Sequence, residues 1–242
     1  MERLMRIVCA TLAAIAGWFL SATDLWAVPF SQTKIILEVN ATAEDGGIQI
    51  FLDGTGWNRL EISDPYGQDV LEVGGSSSVG VTGITELFFE SAEPSFEDLP
   101  LPQLLARFPE GRYSFEGMTV DGKSLSGAAT LRHSIPAGPR VFSPAEGSTV
   151  SPSFPVLVDW DPVSSPYPGT SAPVTISGYQ VIVERVRPQP LLAFSVFLPA
   201  TVTQVTVPPE FIQANADYKF EVLAIEESGN QTITESSCST SR

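Results

Sequence analysis

The sequence predicts an all-β protein built as two tandem β-sandwiches. Beyond residue 27, short runs of alternating apolar and polar residues recur, separated by turn-forming Gly, Pro, Asp and Ser. Nowhere in that part of the sequence do apolar residues keep the spacing of a long helix. Proline and glycine crowd together near the middle of the 242-residue chain. This divides it into an N-terminal domain, 28–136, and a C-terminal domain, 140–236, connected by a linker over 137–144.

The first 27 residues have the composition of a secretory signal peptide. Arg3 and Arg6 precede an apolar run, 7–20, whose 14 residues are short for a membrane span but match a signal-peptide core. Small residues follow, which places cleavage after Ala27 or, alternatively, after Ala22. An uncleaved N-terminal anchor is the other interpretation. We expect a mature chain that is secreted or periplasmic and has no integral membrane segment.

The charge balance argues against two classes of partner. The chain carries 28 acidic and 13 basic residues, a net charge of -15. Cleavage after Ala27 removes two residues of each sign, so the mature chain keeps the whole net charge. Such a surface repels phosphate backbones and anionic membranes, which disfavours nucleic acid and lipid as partners. Solubility is the simplest role of the excess acid, with high salt or divalent cations as alternatives.

Cysteine usage excludes a disulfide framework. After cleavage Cys238 is the single cysteine, so no intramolecular disulfide can form and core packing must hold each domain. The sequence predicts a disordered tail over 237–242 with a free thiol; a disulfide between two chains is the alternative. The lack of disulfides behind a short signal indicates a bacterial exported protein.

The N-terminal domain combines strand patterns with one short helix. Two alternating runs each place three apolar side chains on one face of a strand: Ile35, Leu37 and Val39, then Ile48, Ile50 and Leu52. Pro65 and Gly67 predict a β-turn within a hairpin over 62–70. Around 97–107 the apolar residues recur at helical spacing, which predicts a helix of about two turns. These residues are Leu101, Leu104, Leu105 and Phe108.

The C-terminal domain carries three aromatic residues at the spacing typical of a β-sandwich. Trp160 ends an early strand, Tyr179 lies in the next one, and Tyr218 begins a later one. On these residues, 140–236 resembles a fibronectin type III domain in which Tyr218 is the tyrosine corner. The resemblance implies a fold used in adhesion modules, receptor parts and spacers. The Arg-Gly-Asp tripeptide of some members is absent from this sequence.

The N-terminal domain repeats part of this pattern. The Tyr-Ser-Phe-Glu segment that starts at Tyr113 parallels the Tyr-Lys-Phe-Glu segment that starts at Tyr218. A short apolar segment and a turn precede each of them. We therefore expect a second immunoglobulin-like or fibronectin type III-like sandwich, with a stiff proline-rich hinge between the two domains.

The sequence carries no recognisable catalytic, cofactor-binding or metal-binding pattern. His133 is the single histidine, which excludes a histidine-rich metal site, and neither Gly-x-Ser-x-Gly nor a complete dinucleotide-binding glycine motif is present. Aspartate pairs occur beside Trp160 and at loop ends, where solvent exposure is the first interpretation and calcium binding the alternative. The pairs are Asp159 and Asp161, Asp45 and Asp53, and Asp64 and Asp69.

Aromatic rings in turns are the remaining candidates for ligand contact. Tyr66 and Tyr167 fall in predicted turns, and Tyr167 lies in an insertion, 164–173, that lengthens the loop after the Trp160 strand. Trp57 also lies near a turn, but we expect it to pack in the N-terminal core.

Together these patterns predict an exported, non-catalytic binding or spacer protein that recognises a protein or a polysaccharide at the cell envelope or exterior. A carbohydrate-active enzyme accessory and a structural component of an extracellular assembly are the alternatives. No cofactor is expected. The prediction depends on fold resemblance rather than on a chemical site.

Overall fold

The computed structural model describes residues 27–242, so all of the predicted signal peptide except Ala27 lies outside the described residues. The all-β prediction is confirmed. Strands dominate the described chain, with two short α-helices and one turn of 3-10 helix. Among residues 27–242, no helix has the length and apolar character needed to cross a membrane.

The N-terminal domain contains seven strands and both α-helices. The strands are β1 (Val28–Pro29), β2 (Gln32–Asn40), β3 (Asp45–Ser63), β4 (Asp69–Gly74), β5 (Ile84–Glu90), β6 (Gly111–Thr119) and β7 (Ser124–Leu131). The helices are α1 (Ser77–Thr82) and α2 (Leu101–Arg107). Every pairing in this domain is antiparallel except that of β1 with β7.

Strand β3 serves two groups of partners. Its first half pairs with β2 and β5, its second half pairs with β4 and β6, and the register shifts between Asp53 and Trp57. Gly54 lies at this shift, where an added Cβ would come within 2.8 Å of the Phe30 ring. A single long strand therefore continues from one part of the domain to the other, a topology that alternation of residue types does not predict.

The N-terminal core consists mainly of the apolar residues that the alternating runs place on one face. Trp57 and Tyr113 are fully buried in it, which confirms the prediction for Trp57. The helix expected around 97–107 is present as α2. It begins at Leu101 because Pro100 has an extended conformation (φ -50°, ψ 139°). Leu101 and Leu104 of α2 are buried against the core.

The C-terminal domain is a two-layer sandwich. Its strands are β8 (Val141–Ser143), β9 (Ser148–Val150), β10 (Val156–Trp160), β11 (Ile176–Arg187), β12 (Leu192–Pro199), β13 (Gln204–Val207), β14 (Asp217–Glu226) and β15 (Gln231–Thr240). One layer has the order β13-β10-β8, and the other has the order β12-β11-β14-β15, with β9 parallel to the end of β15. This is the layer arrangement that the fibronectin type III resemblance implied.

The three aromatic residues that carry the resemblance lie in the core of this sandwich. Trp160 and Tyr179 pack edge to face with ring centroids 5.3 Å apart. The Tyr218 hydroxyl accepts a hydrogen bond from the Gln213 backbone N–H at 2.7 Å and donates to the Phe211 carbonyl at 3.2 Å. Tyr218 is therefore a tyrosine corner. All three residues specify the fold, and none of them is available to a ligand.

The repeated Tyr-x-Phe-Glu pattern also has a structural counterpart in the N-terminal domain. The Tyr113 hydroxyl donates to the Pro109 carbonyl at 3.0 Å, four residues upstream, much as Tyr218 bonds backbone upstream of itself. Burial, with the Asp64 carboxylate as a smaller cause, raises the pKa of Tyr113 to about 12. The hydroxyl therefore stays protonated and remains a donor at physiological pH.

The predicted disordered tail over 237–242 is wrong for residues 237–240. These residues continue β15, which pairs with β14 as far back as Asp217 and with β9 from Cys238 to Thr240. Cys238 packs in the C-terminal core, and burial raises the pKa of its thiol to about 11. The sequence prediction failed because Ser-Ser-Cys-Ser-Thr lacks the bulky apolar residues by which a strand is usually recognised.

The segment predicted as a linker over 137–144 packs between the domains. Within it, Val141–Ser143 form β8 and Pro139 is buried, as is Pro136 just before the segment. The Ala137 backbone N–H donates to the Ser165 carbonyl at 2.9 Å. This hydrogen bond holds the start of the connection against the loop that follows β10.

Candidate functional site

The two domains share a sheet. Strand β15 of the C-terminal domain pairs in parallel with β2 of the N-terminal domain, with Thr232 opposite Val39 and Ile233 opposite Asn40. Hydrogen-bonded strand order therefore runs without a break through β3-β2-β15-β14-β11-β12. We call the region around the β2–β15 pairing the junction.

Asn230 is the central polar residue of the junction. Its side chain is buried, and its Oδ1 accepts the Leu37 backbone N–H at 2.8 Å. Its Nδ2 donates to the carbonyls of Arg132 and Ser134, at 2.7 and 3.0 Å. Beside it, the Thr232 hydroxyl donates to the Pro136 carbonyl at 2.5 Å. These bonds satisfy backbone N–H and C=O groups of the N-terminal domain that have no partner in the β-pairing. Polar atoms are usually buried only when they are hydrogen-bonded in this way.

The loop insertion after β10 forms a second contact at the junction. The Tyr167 backbone N–H donates to the Ile135 carbonyl at 2.8 Å, and Pro166 forms a β-bridge with Pro136. The Tyr167 ring is half-buried, with its centroid 6.1 Å from that of Phe96 in an edge-to-face arrangement. A ligand contact by Tyr167 stays a prediction, but the ring already has a partner in the N-terminal domain.

Tyr66 lies far more open. It is 77% exposed in the β3–β4 turn, and the predicted hairpin is present there. The Asp64 carboxylate accepts the backbone N–H groups of Tyr66 and Gln68, each at 2.8 Å, and Gly67 takes φ of 78°. Asp64 therefore stabilises the turn. Ligand binding by Tyr66 stays a prediction.

Acidic side chains gather on the N-terminal part of the shared sheet. We call Glu38 of β2, Glu90 of β5 and Glu93, which follows β5, the acidic cluster; each offers a carboxylate oxygen within 4.8 Å of the others. Glu38 is buried and accepts a hydrogen bond from the Gln231 side-chain amide across the junction. The Gln49 amide donates to Glu90 at 3.0 Å.

Burial and mutual repulsion make the acidic cluster hard to ionise fully. Partial burial, then the carboxylates of Glu38 and Glu90, raise the pKa of Glu93 from 4.5 to about 7. Burial also raises the pKa of Glu38, although the hydrogen bond from Gln231 opposes the shift. Three carboxylates are a donor set for a hard cation such as Ca²⁺. Side-chain amides already donate hydrogen bonds to the carboxylates of Glu38 and Glu90. Protonation and hydrogen bonding therefore explain how these carboxylates lie close together without a metal.

Sequence patterns did not indicate the acidic cluster. The available signal is Glu38 itself, a lone charged residue inside the apolar run Ile35-Ile36-Leu37-Glu38-Val39. The aspartate pairs singled out for calcium form no three-acid cluster in the part of the chain that the structure describes. Asp45 is partly buried, with its Oδ1 unpartnered, and Asp161 is exposed.

His133 has a structural position near the end of β7. Its ring Nε2 lies 2.8 Å from the Phe108 carbonyl, and its backbone N–H donates to the Glu110 carboxylate at 2.6 Å. These contacts connect the segment after β7 to the loop that follows α2. The geometry is that of a residue holding two segments together.

A groove of about 540 Å³ follows β14 and β15 on the C-terminal side of the junction. Within it, the Lys219 ammonium bridges Glu221 and Glu235 at 3.0 and 2.8 Å. The Asn40 amide donates to the same Glu235 carboxylate at 2.8 Å. The groove is thus lined by ion pairs and hydrogen bonds that extend across the junction.

No protein-family model matches this chain, and no curated protein matches it. Among solved structures it is similar to the FN1–FN3 domains of chicken CNTN1, at 14% identity and a TM-score of 0.35, over 89% of this chain and 65% of that one. It is also similar to a tetra-tandem repeat in the extending region of a large adhesion protein, at 13% identity and a TM-score of 0.30, over 86% and 49%. This chain thus spans less than two thirds of either structure. Similarity at this level carries no information on function.

Proposed function

We propose that this chain is an exported, non-catalytic binding or spacer protein of the cell envelope or exterior, and that its two domains act as one rigid unit. The junction carries this proposal, because β2 pairs with β15 and Asn230 is buried among backbone groups of the other domain. Domains that are merely tethered expose polar groups at their contact and move relative to one another. A fixed angle between two sandwiches suits a spacer or a two-domain binding platform.

The surface charge supports a partner with basic character. A net charge of -15 attracts cationic segments, and the exposed carboxylates of Glu90 and Glu93 lie together on the shared sheet. A basic segment of a protein partner would relieve the repulsion within the acidic cluster. A polysaccharide is the alternative partner, and a neutral glycan would gain nothing from this charge.

The non-catalytic part of the proposal rests on how the polar residues are used. His133 connects two loops, Asp64 stabilises a turn, and Glu38 accepts from an amide across the junction. Each of these three residues therefore has a structural contact that explains its position.

Rigidity can be measured by small-angle X-ray scattering on the chain that starts at Val28. At protein concentrations low enough for the monomer, we expect one particle shape that is independent of ionic strength, and a broader distribution of dimensions for Asn230→Ala. The matched control Asn58→Ala alters an asparagine within the N-terminal domain and should leave the scattering unchanged. If the wild-type chain already shows independent domain motion, the rigid-unit proposal fails.

Binding can be measured by capture from an envelope extract on the immobilised chain. We expect a captured protein whose retention falls as salt rises and is weakened in the double variant Glu90→Gln/Glu93→Gln. The control Glu97→Gln/Glu227→Gln makes the same change in net charge away from the acidic cluster. Equal loss in both variants would show that net charge alone is responsible, and hydrolysis of an envelope polysaccharide by the wild type would contradict the non-catalytic proposal.

Export is tested separately by cell fractionation and N-terminal sequencing of the full-length chain. We expect the mature chain outside the cytoplasm, beginning directly after Ala22 or Ala27. Retention of the first 27 residues on a membrane-associated chain would support the anchor instead.

A further inference from the structure

Strand β12 is the last strand of the shared sheet. It pairs with β11 along its whole length, from Leu192 opposite Arg185 to Pro199 opposite Gly178. No second strand pairs with it among residues 27–242. Backbone N–H and C=O groups on its outer side are therefore open to another strand.

Unlike the comparable edges of the N-terminal domain, β12 carries no charge that would discourage pairing. Among the described strands, β4 and β5 each pair with β3. Both contain acidic residues. These are Asp69 and Glu72 in β4 and Glu86 and Glu90 in β5. By contrast, the sequence from Pro188 to Pro209 contains no charged residue. Proteins usually place charged residues on an edge strand that must stay unpaired, and β12 has none.

The exposed side chains of β12 are partly apolar. Phe194, Val196 and Leu198 pack against the C-terminal core, so Ala193, Ser195 and Phe197 face outward. Phe197 is 70% exposed, and Leu191 and Leu192 at the start of the strand are also exposed. The outer face and the free edge thus form one uncharged surface.

We infer that β12 pairs antiparallel with β12 of a second copy of this chain, so that one sheet continues through a two-fold dimer. The charge distribution restricts where two copies can meet. Two chains that each carry a net charge of -15 repel one another over most of their surface, so they associate best where that surface is uncharged. A basic partner would instead be drawn to the acidic cluster on the other domain.

The alternation of side chains restricts the register of this dimer. Paired residues in adjacent strands lie on the same face of a sheet, and a two-fold axis perpendicular to the sheet preserves that face. The two-fold axis must therefore pass through a residue of β12 that pairs with the same residue of the second copy. At the middle of β12, that residue is Ser195 or Val196. Pro190 and Pro199 bracket the strand and limit sliding, because proline donates no backbone hydrogen bond.

Sedimentation equilibrium of the chain that starts at Val28 tests this inference. We expect a reversible monomer–dimer equilibrium that shifts towards dimer as salt screens the like charges. Phe197→Lys should raise the dissociation constant by at least about tenfold, because it places an ammonium group on each side of the pairing. Phe88→Lys is the matched control, since Phe88 is 58% exposed on an edge strand of the other domain.

Amide hydrogen exchange identifies the edge involved. Protection of residues 193–198 that rises with protein concentration, and falls in Phe197→Lys, supports the inference. A chain that stays monomeric at every concentration overturns it, as does a dimer that leaves β12 unprotected or is weakened equally by both variants. The thermal unfolding temperature of each variant separates loss of dimer from loss of fold. None of these outcomes alters the proposed function, which depends on the junction.

Discussion

Asn230 and Leu37 are joined by a buried hydrogen bond although 193 residues separate them, with the Leu37 N–H donating to Asn230 Oδ1 at 2.8 Å. The same side chain donates to the carbonyls of Arg132 and Ser134 at the end of the N-terminal domain. One asparagine thus connects the last hairpin of the chain to two distant segments of the other domain. Because buried polar groups lose free energy when their partners are removed, the junction depends on it.

Replacing Asn230 by alanine should lower the free energy of unfolding by about 3 kcal/mol, since it leaves one buried N–H and two partly buried carbonyls without their partner. Urea denaturation of the chain that starts at Val28 gives this difference. Asn58→Ala is the control, because the Asn58 amide makes a contact of 3.5 Å to the Gly80 carbonyl and is half-buried. We expect the control to cost less than about 1 kcal/mol. Equal losses in the two variants would contradict a special role for Asn230.

The two tyrosine hydroxyls should differ in their contribution to stability. Tyr218→Phe leaves the Gln213 N–H and the Phe211 carbonyl without a partner, whereas Tyr113→Phe affects the Pro109 carbonyl. An orphaned N–H is the costlier loss, so we expect about 2 kcal/mol for Tyr218→Phe and about 1 kcal/mol for Tyr113→Phe. Urea denaturation of both variants measures the order, and a larger loss at Tyr113 would contradict this account.

The C-terminal sandwich was predictable from sequence because its signals are local and chemically specific. Trp160, Tyr179 and Tyr218 each have a position in the fold that few other residues can take, and short-range backbone contacts hold Tyr218. Helix α2 was predictable for the same reason, since Pro100 and the leucine spacing define it within one segment.

Long-range pairing accounts for what the sequence did not predict. Alternation in β2 and β15 shows that each is a strand, but nothing in either run indicates that they pair with one another across the domain boundary. Asn230 follows Gly229, and such a Gly-Asn pair is typical of a turn, whereas its buried role depends on carbonyls about a hundred residues away. The acidic cluster was missed on the same grounds, since its members come from β2 and from the end of β5.

Cys238 should be unreactive in the folded protein. Its thiol is buried in the C-terminal core, and burial raises its pKa to about 11, so very little thiolate is present at neutral pH. In the chain that starts at Val28, we expect labelling by a thiol reagent to be slow in buffer and fast in urea. Rapid labelling of the native chain would restore the prediction of a free tail thiol, and a disulfide-linked dimer on a non-reducing gel would support the alternative of a disulfide between two chains.

The acidic cluster should make the protein more stable in mild acid than at neutral pH. The pKa of Glu93 is raised from 4.5 to about 7 in the folded chain, so the folded state binds more protons than the unfolded state between these values. The contribution of the protonated Glu93 carboxyl to stability is therefore complete below pH 4.5, and it is lost as the pH rises through about 7. Burial raises the pKa of Glu38 and of Asp45 in the same direction. We expect the thermal unfolding temperature to fall as the pH is raised across this range.

Glu93→Gln isolates this effect, because glutamine keeps the shape and removes the charge. We expect the variant to unfold at a higher temperature than the wild type above neutral pH and at nearly the same temperature near pH 4.5, which is the ordinary pKa of the group. Glu97→Gln, which removes a charge from an exposed residue of the same connection, should leave the slope of unfolding temperature against pH unchanged. A wild-type slope that survives in Glu93→Gln would show that repulsion in the acidic cluster does not control stability. A slope abolished by Glu97→Gln would assign the effect to net charge instead.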